Sequence, residues 1–161
     1  MASVVRIFGC ASERAKPSWS AGHVPLFIYN ALNGINLNIH GDGLQTRSIS
    51  SAIDIAKGLS EMTKNLESVH NEIINLGTDE QTTVKSVAEY IVEKTDSNSK
   101  IVFTPKQKVF GNYDEITIRF ANTLKAQEKL NFKINLSTHQ VIDSIINSYK
   151  DPDSNYYVIK K

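Results

Sequence analysis

The feature that most constrains the fold of this chain is the alternation of short apolar runs with longer amphipathic stretches. Four runs rich in Val, Ile and Leu are typical of strands: 3–8, 35–40, 71–77 and 100–105. Five further stretches carry apolar residues at helical spacing and predict helices: 25–34, one beginning at Asp54, one beginning after Thr82 or Thr83, roughly 120–130, and 138–149. Strands that interleave with helices predict an α/β or mixed α+β fold, a small layered domain with about five helices.

Local signals predict where these elements begin and end. Pro25 suits the first position of a helix, and Gly34 suits the position just after its end. The second helix carries an apolar stripe that should face the core: Ile55, Leu59, Met62 and Leu66. The third helix should bury a face made of Val84, Val87, Ala88, Ile91 and Val92. Residues 9–22 are rich in small and polar side chains and predict a loop, and 155–161 could form an edge strand or a tail.

The composition limits the classes of function. Of 161 residues, 40% are hydrophobic and 22% are charged, which is typical of one soluble globular domain over 1–161. The formal net charge of +1 gives no general attraction to nucleic acid or to an acidic membrane, so any anion site must be local. The single cysteine, Cys10, excludes an internal disulfide. No apolar run reaches the roughly 18–20 residues that cross a bilayer, and no signal peptide follows Met1, so we expect a cytoplasmic protein.

The usual motifs of catalysis and cofactor binding are missing from this sequence. It contains no GxGxxG after a strand, no phosphate-binding Walker loop and no Cys/His cluster at metal-ligand spacing. The four histidines stand singly: His23, His40, His70 and His139. Cys10 has no histidine near it in sequence that could activate the thiol. We therefore expect no catalytic residue, no metal and no cofactor bound by this chain.

One polar turn stands out, in the segment HGDGLQTRS at 40–48. Its two glycines allow a ligand to approach the backbone, and Arg47 carries a planar guanidinium suited to bidentate contact with phosphate oxygens. The strand before the turn presents donors and acceptors on its polar face: Asn36, Asn38 and His40. An equally open alternative is structural, with Asp42 capping the turn and Arg47 pairing with Asp54.

Residues 24–54, VPLFIYNALNGINLNIHGDGLQTRSISSAID, resemble the extended short-chain dehydrogenase/reductase family of NAD-dependent nucleotide-sugar epimerases, dehydratases and decarboxylases. That family carries P-x-F-I-x-x-A-L-x-G followed by G-D-G-x-Q-x-R, and both patterns occur here. Three further segments are similar in a weaker form: 4–14, 72–91 and 121–132. The resemblance covers nearly the whole chain, but only the C-terminal, substrate-binding half of a family member such as a UDP-glucose 4-epimerase.

The resemblance implies that the chain lacks the Rossmann cofactor half of the family, with its glycine-rich loop and its catalytic Tyr-x-x-x-Lys pair. NAD is implied only for that missing N-terminal half. One Tyr-x-x-x-Lys spacing does occur here, at Tyr90 and Lys94. It falls in the segment that matches a C-terminal helix of the family, so we interpret it as a coincidence on a helix surface.

The resemblance also implies which residues bind a nucleotide-diphosphate sugar. Arg47 matches the arginine that holds the diphosphate, and Arg119 lies near a second phosphate-binding arginine. Asn38 and His40 match strand positions that line the base and the ribose. His23 matches a position whose backbone meets the nucleotide.

Two hypotheses about function remain. In the first, the chain is a truncated epimerase- or dehydratase-like protein, inactive alone, that binds a nucleotide-diphosphate sugar or completes a site with a partner chain carrying the cofactor domain. In the second, it is a non-catalytic interaction or structural protein on the same fold, since several site positions depart from the family; Gly9, for example, replaces an asparagine. Under either hypothesis the strand at 3–8 exposes an apolar edge, so we expect a homodimer or a rearrangement of residues 1–22 that covers it.

Overall fold

The computed structural model describes residues 2–105, 107 and 116–151, and within them the fold is mixed α/β. Its helices are α1 (His23–Leu32), α2 (Ala52–Lys64), α3 (Val84–Thr95), α4 (Leu124–Leu130) and α5 (Thr138–Lys150), with a short 3₁₀ turn at Trp19–Ala21. Its strands are β1 (Val4–Ile7), β2 (Cys10–Ala11), β3 (Leu37–His40), β4 (Thr46–Arg47), β5 (Ser50–Ser51), β6 (Ile73–Leu76), β7 (Thr82–Thr83), β8 (Ile101–Thr104) and β9 (Ile118–Arg119). The predicted fold class is confirmed.

The strands form four small sheets. Three are parallel pairs: β1 with β6, β2 with β5, and β3 with β8. The fourth has three strands in the order β7-β4-β9, with β4 antiparallel to β7 and parallel to β9. Parallel pairs need crossover connections, and the helices that lie between the paired strands in sequence supply them.

Two apolar clusters hold these layers together. The larger one joins α1, α3, α5 and β3 and centres on fully buried side chains: Phe27, Ile28, Leu37, Ile39, Ile91, Ile142 and Ile145. The smaller one joins α2, β6 and α4, and it includes Ile55, Val69, Ile74, Leu76 and Phe132. Helix α1 therefore stands on the larger core, which fixes the position of its N-terminus.

Two predicted helix starts are wrong for identifiable reasons, and a third is confirmed. Helix α1 begins at His23, so Pro25 is its third residue, which is still within the first turn where a proline costs no hydrogen bond. Helix α2 begins at Ala52 because the Ser51 side chain accepts a hydrogen bond from the amide of Ile53 and caps it. Thr83 caps α3 in the same way, by accepting from the amide of Ser86, as one of the two predicted alternatives.

Two of the four apolar residues predicted to face the core from α2 do so. Ile55 and Met62 are buried, whereas Leu59 and Leu66 are 36% and 49% exposed. Leu66 lies beyond the end of the helix at Lys64, and Gly58 takes the core-facing position of the middle turn. A Cβ at Gly58 would lie 2.9 Å from the Phe132 ring, so the close packing of that ring explains why a glycine stands there.

The segment 9–22 is more ordered than the predicted loop. It contains the two-residue strand β2 and the 3₁₀ turn, and the buried Tyr149 donates its hydroxyl hydrogen to the carbonyl of Ala15. Strand β1 pairs with β6 on one side, and its other edge meets no strand among the described residues. The predicted edge strand or tail at 155–161 lies outside the described residues. None of the described helices is long and apolar enough to cross a membrane.

Candidate anion-binding cleft

Two arginines stand side by side on the three-stranded sheet. The parallel pairing of β4 with β9 sets Arg47 directly opposite Arg119. Neighbouring strands lie about 4.8 Å apart, and side chains at paired positions leave the same face of a sheet. Two guanidinium groups therefore concentrate positive charge at one place in a chain whose net charge is only +1.

The turn before β4 is built by its own polar side chains. Asp42 Oδ1 accepts a hydrogen bond of 2.9 Å from the amide of Leu44, and the side chain of Gln45 donates to the carbonyl of His40. Arg47 Nη1 donates to the carbonyl of Thr46 at 2.7 Å and to that of Thr117 at 3.4 Å. Nη1 is a terminal nitrogen of the guanidinium, so these bonds fix the end of the Arg47 side chain on the sheet that carries it.

The alternative hypothesis, in which this turn has only a structural role, is correct for Asp42 and wrong for the pairing of Arg47 with Asp54. Asp42 does cap the turn. Arg47 does not pair with Asp54, because that carboxylate is 1% exposed and is occupied by Asn135, the amide of Leu136 and Lys57. Asp54 anchors the start of α2 to the loop before α5, away from the arginine pair.

A cleft with a cavity volume of about 110 Å³ opens where the two arginines meet α1. Its lining comes from four parts of the chain: Phe8, Gly9, Cys10, Ala11, Ala21, Gly22, His23, Val24, Pro25, Arg47, Ser48, Ile49 and Arg119. Helix α1 begins here, and its N-cap residue, Gly22, has no side chain to bond the first amides. The positive end of the helix dipole and the arginine pair thus face the same space, which favours an anion.

His23 is the first residue of α1 and lies in the wall of this cleft. Its ring meets Phe27 edge-on, with the ring centroids 5.6 Å apart. Burial, together with the positive charges of Arg47 and Arg119, lowers the pKa of His23 to about 4. The imidazole is therefore neutral at neutral pH, and its buried Nε2 has no hydrogen-bond partner among the described residues.

The predicted base-binding residues lie in a second depression. Asn38 and His40 line it together with Ser18, Leu26, Phe27 and Asn30, and its cavity volume is about 420 Å³. Both depressions use the first two turns of α1, since His23 lines one and Phe27 lines the other. The five predicted binding residues therefore fall into two groups. The arginine cleft has Arg47, Arg119 and His23, and the second depression has Asn38 and His40.

Cys10 also lines the arginine cleft. Partial burial raises the pKa of its thiol above the ordinary value, which favours the neutral thiol over the thiolate at neutral pH. The sequence predicted His23 as a binding residue, but it did not indicate that Cys10 lines the site or that α1 begins at His23. Gly22 could have indicated a helix start without a side-chain cap, but only the tertiary structure shows that this helix start lies next to the two arginines.

Tyr90 and Lys94 both contact the carboxylate of Asp143. Tyr90 donates its hydroxyl hydrogen to Asp143 at 2.8 Å, and Lys94 lies 3.4 Å from the other oxygen of the same carboxylate. Burial and the Asp143 carboxylate raise the pKa of Tyr90 to about 12, the opposite of what a tyrosine base needs. Among the described residues, no group of His, Cys, Asp and Glu is arranged to hold a metal ion.

Comparison with known proteins reveals clear relatives. The chain matches no protein-family profile. It is 34% identical over 150 residues to UDP-N-acetyl-alpha-D-glucosaminuronate decarboxylase of Bacillus cytotoxicus, an alignment that covers 92% of this chain and 46% of the relative. It is 27% identical to a putative UDP-glucose 4-epimerase of Methanocaldococcus jannaschii, with the same two shares. The chain therefore spans about half the length of these curated relatives.

Solved structures show the same relation. The fold matches Pal from Bacillus thuringiensis with a TM-score of 0.80 and 26% identity, over 91% of this chain and 44% of that one. It matches UDP-glucose 4-epimerase of Thermotoga maritima, solved with UDP-glucose, with a TM-score of 0.76 and 25% identity, over 91% and 45%. The family predicted from residues 24–54 is confirmed. In sequence and in fold, the chain corresponds to the C-terminal half of the NAD-dependent nucleotide-sugar epimerases and dehydratases of the extended short-chain dehydrogenase/reductase family.

Proposed function

We propose that this chain binds a nucleotide-diphosphate sugar, with the diphosphate between Arg47 and Arg119 at the N-terminus of α1. The observation that carries the proposal is the register of β4 and β9, which pairs the two arginines beside an uncapped helix start. A guanidinium suits phosphate oxygens because its charge and its N–H groups lie in one plane, and a helix N-terminus adds backbone amides to such a site. This local charge supplies the attraction that the nearly neutral chain lacks as a whole.

The nucleoside end belongs, in this proposal, beside Asn38 and His40. Both side chains offer donors and acceptors next to the apolar surface of Leu26 and Phe27. A polar edge beside an apolar floor suits a base and ribose. One similar structure was solved with UDP-glucose, which supports a nucleotide sugar as the class of ligand.

The chain does not carry out hydride chemistry alone in this proposal. Tyr90 is held by Asp143 and cannot serve as a base, and the sequence holds no glycine-rich loop for NAD. Epimerisation or decarboxylation would need NAD and a catalytic tyrosine on a cofactor domain. The substrate-binding half would then position the sugar for that domain.

Titration of the chain with UDP-glucose by isothermal calorimetry tests the proposal. We expect saturable binding and a loss of about 10- to 100-fold in affinity in Arg47→Ala, because a charge-assisted hydrogen bond contributes about 1.5–3 kcal/mol. Arg6→Ala is the matched control, since it removes an exposed guanidinium on β1, away from the cleft. The absence of binding at millimolar UDP-glucose, or an equal loss in both variants, would overturn the proposal.

A second function, as an interaction protein, is favoured by the surface of the β1–β6 pair. Val4, Ile7 and Ile73 are 54%, 48% and 44% exposed there. Apolar side chains on an open strand edge favour pairing with another chain. The calorimetric result separates the two candidates, because this surface does not include either arginine of the cleft.

A further inference from the structure

The cleft contains one polar atom that the fold leaves unused. His23 Nε2 is buried and has no hydrogen-bond partner among the described residues. A buried polar atom without a partner destabilises the folded state, so such atoms are uncommon unless a ligand or water supplies the hydrogen bond. Here the unpartnered nitrogen belongs to a side chain that lines the same cleft as the two paired arginines.

The charged groups that face His23 are of one sign. Arg47 on β4 and Arg119 on β9 both act on the imidazole, and Phe27, one turn along α1, contacts its ring. The described lining of the cleft contains no carboxylate, and its remaining titratable group, the Cys10 thiol, is neutral. Nothing in this lining therefore stabilises a protonated His23 while the cleft holds no anion.

We propose that His23 is a third anion-binding side chain of the cleft, which takes up a proton when a diphosphate enters between Arg47 and Arg119 and donates Nε2–H to it. This inference rests on the proposed function. The two negative charges of the ligand offset the two arginines, and a phosphate oxygen supplies the missing acceptor. In the free chain the pKa of His23 is about 4, so uptake of the proton accompanies binding.

Proton uptake makes affinity depend on pH in a defined direction. A group whose pKa rises on binding strengthens the complex as the pH falls. Because the pKa of His23 rises on binding, we expect linkage to make the complex about tenfold tighter at pH 5 than at pH 8. UDP-glucose is a suitable probe because both of its phosphates are esterified and keep the same charge over this range.

The experiment is calorimetry with UDP-glucose at pH 5, 6.5 and 8. For the unmodified chain we expect about tenfold tighter binding at the lowest pH, together with a measured uptake of protons. His23→Gln, which keeps an amide donor but cannot titrate, should bind with an affinity that is flat over this range. The control is His70→Gln, which replaces an exposed histidine outside the cleft and should behave like the unmodified chain.

A second measurement does not depend on a variant that folds. The imidazole signals of the unmodified chain, followed by nuclear magnetic resonance, should titrate with a higher pKa for His23 in the presence of UDP-glucose than in its absence. Arg47-dependent binding that is equally strong at all three pH values, with an unchanged His23 titration, would overturn this inference and leave the proposed function intact. Failure of the unmodified chain to bind at any pH would overturn both.

Discussion

At the scale of single residues, Asp54 has a structural role that differs from the predicted pairing with Arg47. Its carboxylate is 1% exposed, yet it accepts hydrogen bonds from the amides of Asn135 and Leu136 and from the Asn135 side chain. Burial alone would raise the pKa of this carboxyl, but those hydrogen bonds and Lys57 hold it below its usual value of 3.8. The charge is therefore retained because the loop before α5 is built around it.

We predict that Asp54→Ala lowers the free energy of unfolding by about 2–3 kcal/mol at neutral pH, because the amides of Asn135 and Leu136 lose their buried acceptor. Asp79→Ala removes an exposed carboxylate and should change it by less than about 0.5 kcal/mol. The stabilisation from Asp54 is complete well above pH 3.8 and is lost as the pH falls through the lower pKa of the folded state. Urea unfolding at pH 7 and pH 3 measures both effects, and an equal cost at both pH values would contradict the prediction.

At the scale of elements, the short link between β1 and β2 connects one wall of the arginine cleft to two other segments of the chain. Gly9 lies in this link with φ of +53°, and its carbonyl accepts from the amide of Ser50 at 2.7 Å. The Ser50 hydroxyl donates to the carbonyl of Phe8 and accepts from the amide of Thr78. Three segments distant in sequence are thus joined at one buried serine.

Gly9→Ala should destabilise the protein far more than a positive φ alone explains. A Cβ there would come within 1.8 Å of the carbonyl oxygen of Ser48, so the backbone would have to move. Gly34→Ala is the matched control, since its φ is +67° and a Cβ would meet nothing within 4 Å. We expect about 1–2 kcal/mol for the control from the left-handed backbone alone, and a clearly larger loss for Gly9→Ala. Similar thermal unfolding midpoints for the two variants would contradict this.

At the scale of the whole molecule, the notable surface is the open edge of β1. The β1–β6 pair is a two-stranded sheet within the described residues, and its exposed apolar side chains are more typical of a sheet interior than of a surface. The relatives have about twice the length of this chain. A protein with such an edge favours association with a further strand.

We predict that the chain forms a homodimer through this edge, measured by sedimentation velocity. Ile7→Lys should shift the population towards monomer, because a charged side chain on an edge strand opposes pairing. Ile53→Lys is the control, as Ile53 is 56% exposed on α2, away from the edge. A monomeric unmodified chain, or equal effects of the two substitutions, would refute the prediction.

Much of the fold could be predicted from local patterns. The alternation of Leu37 and Ile39 with polar neighbours predicted β3, and the spacing of Val84, Val87, Ala88 and Ile91 predicted the buried face of α3. Such patterns are legible because each element buries one side on a shared core. The two-residue strands β4, β7 and β9 carry no such pattern, since pairing across long sequence separations defines them.

The sequence by itself determined the family, the main helices and the identity of Arg47 as a candidate ligand of phosphate, because these depend on residue types at short spacings. Only the tertiary structure decided which residues share a cleft. Arg47 and Arg119 are 72 positions apart, and the register of two strands sets them opposite each other. In the folded chain Asp54 bonds to the loop before α5 and not to Arg47. The uncapped N-terminus of α1, with its neutral His23, lies beside Arg47 instead. Contacts of this kind depend on how cores and sheets pack, which local sequence does not encode.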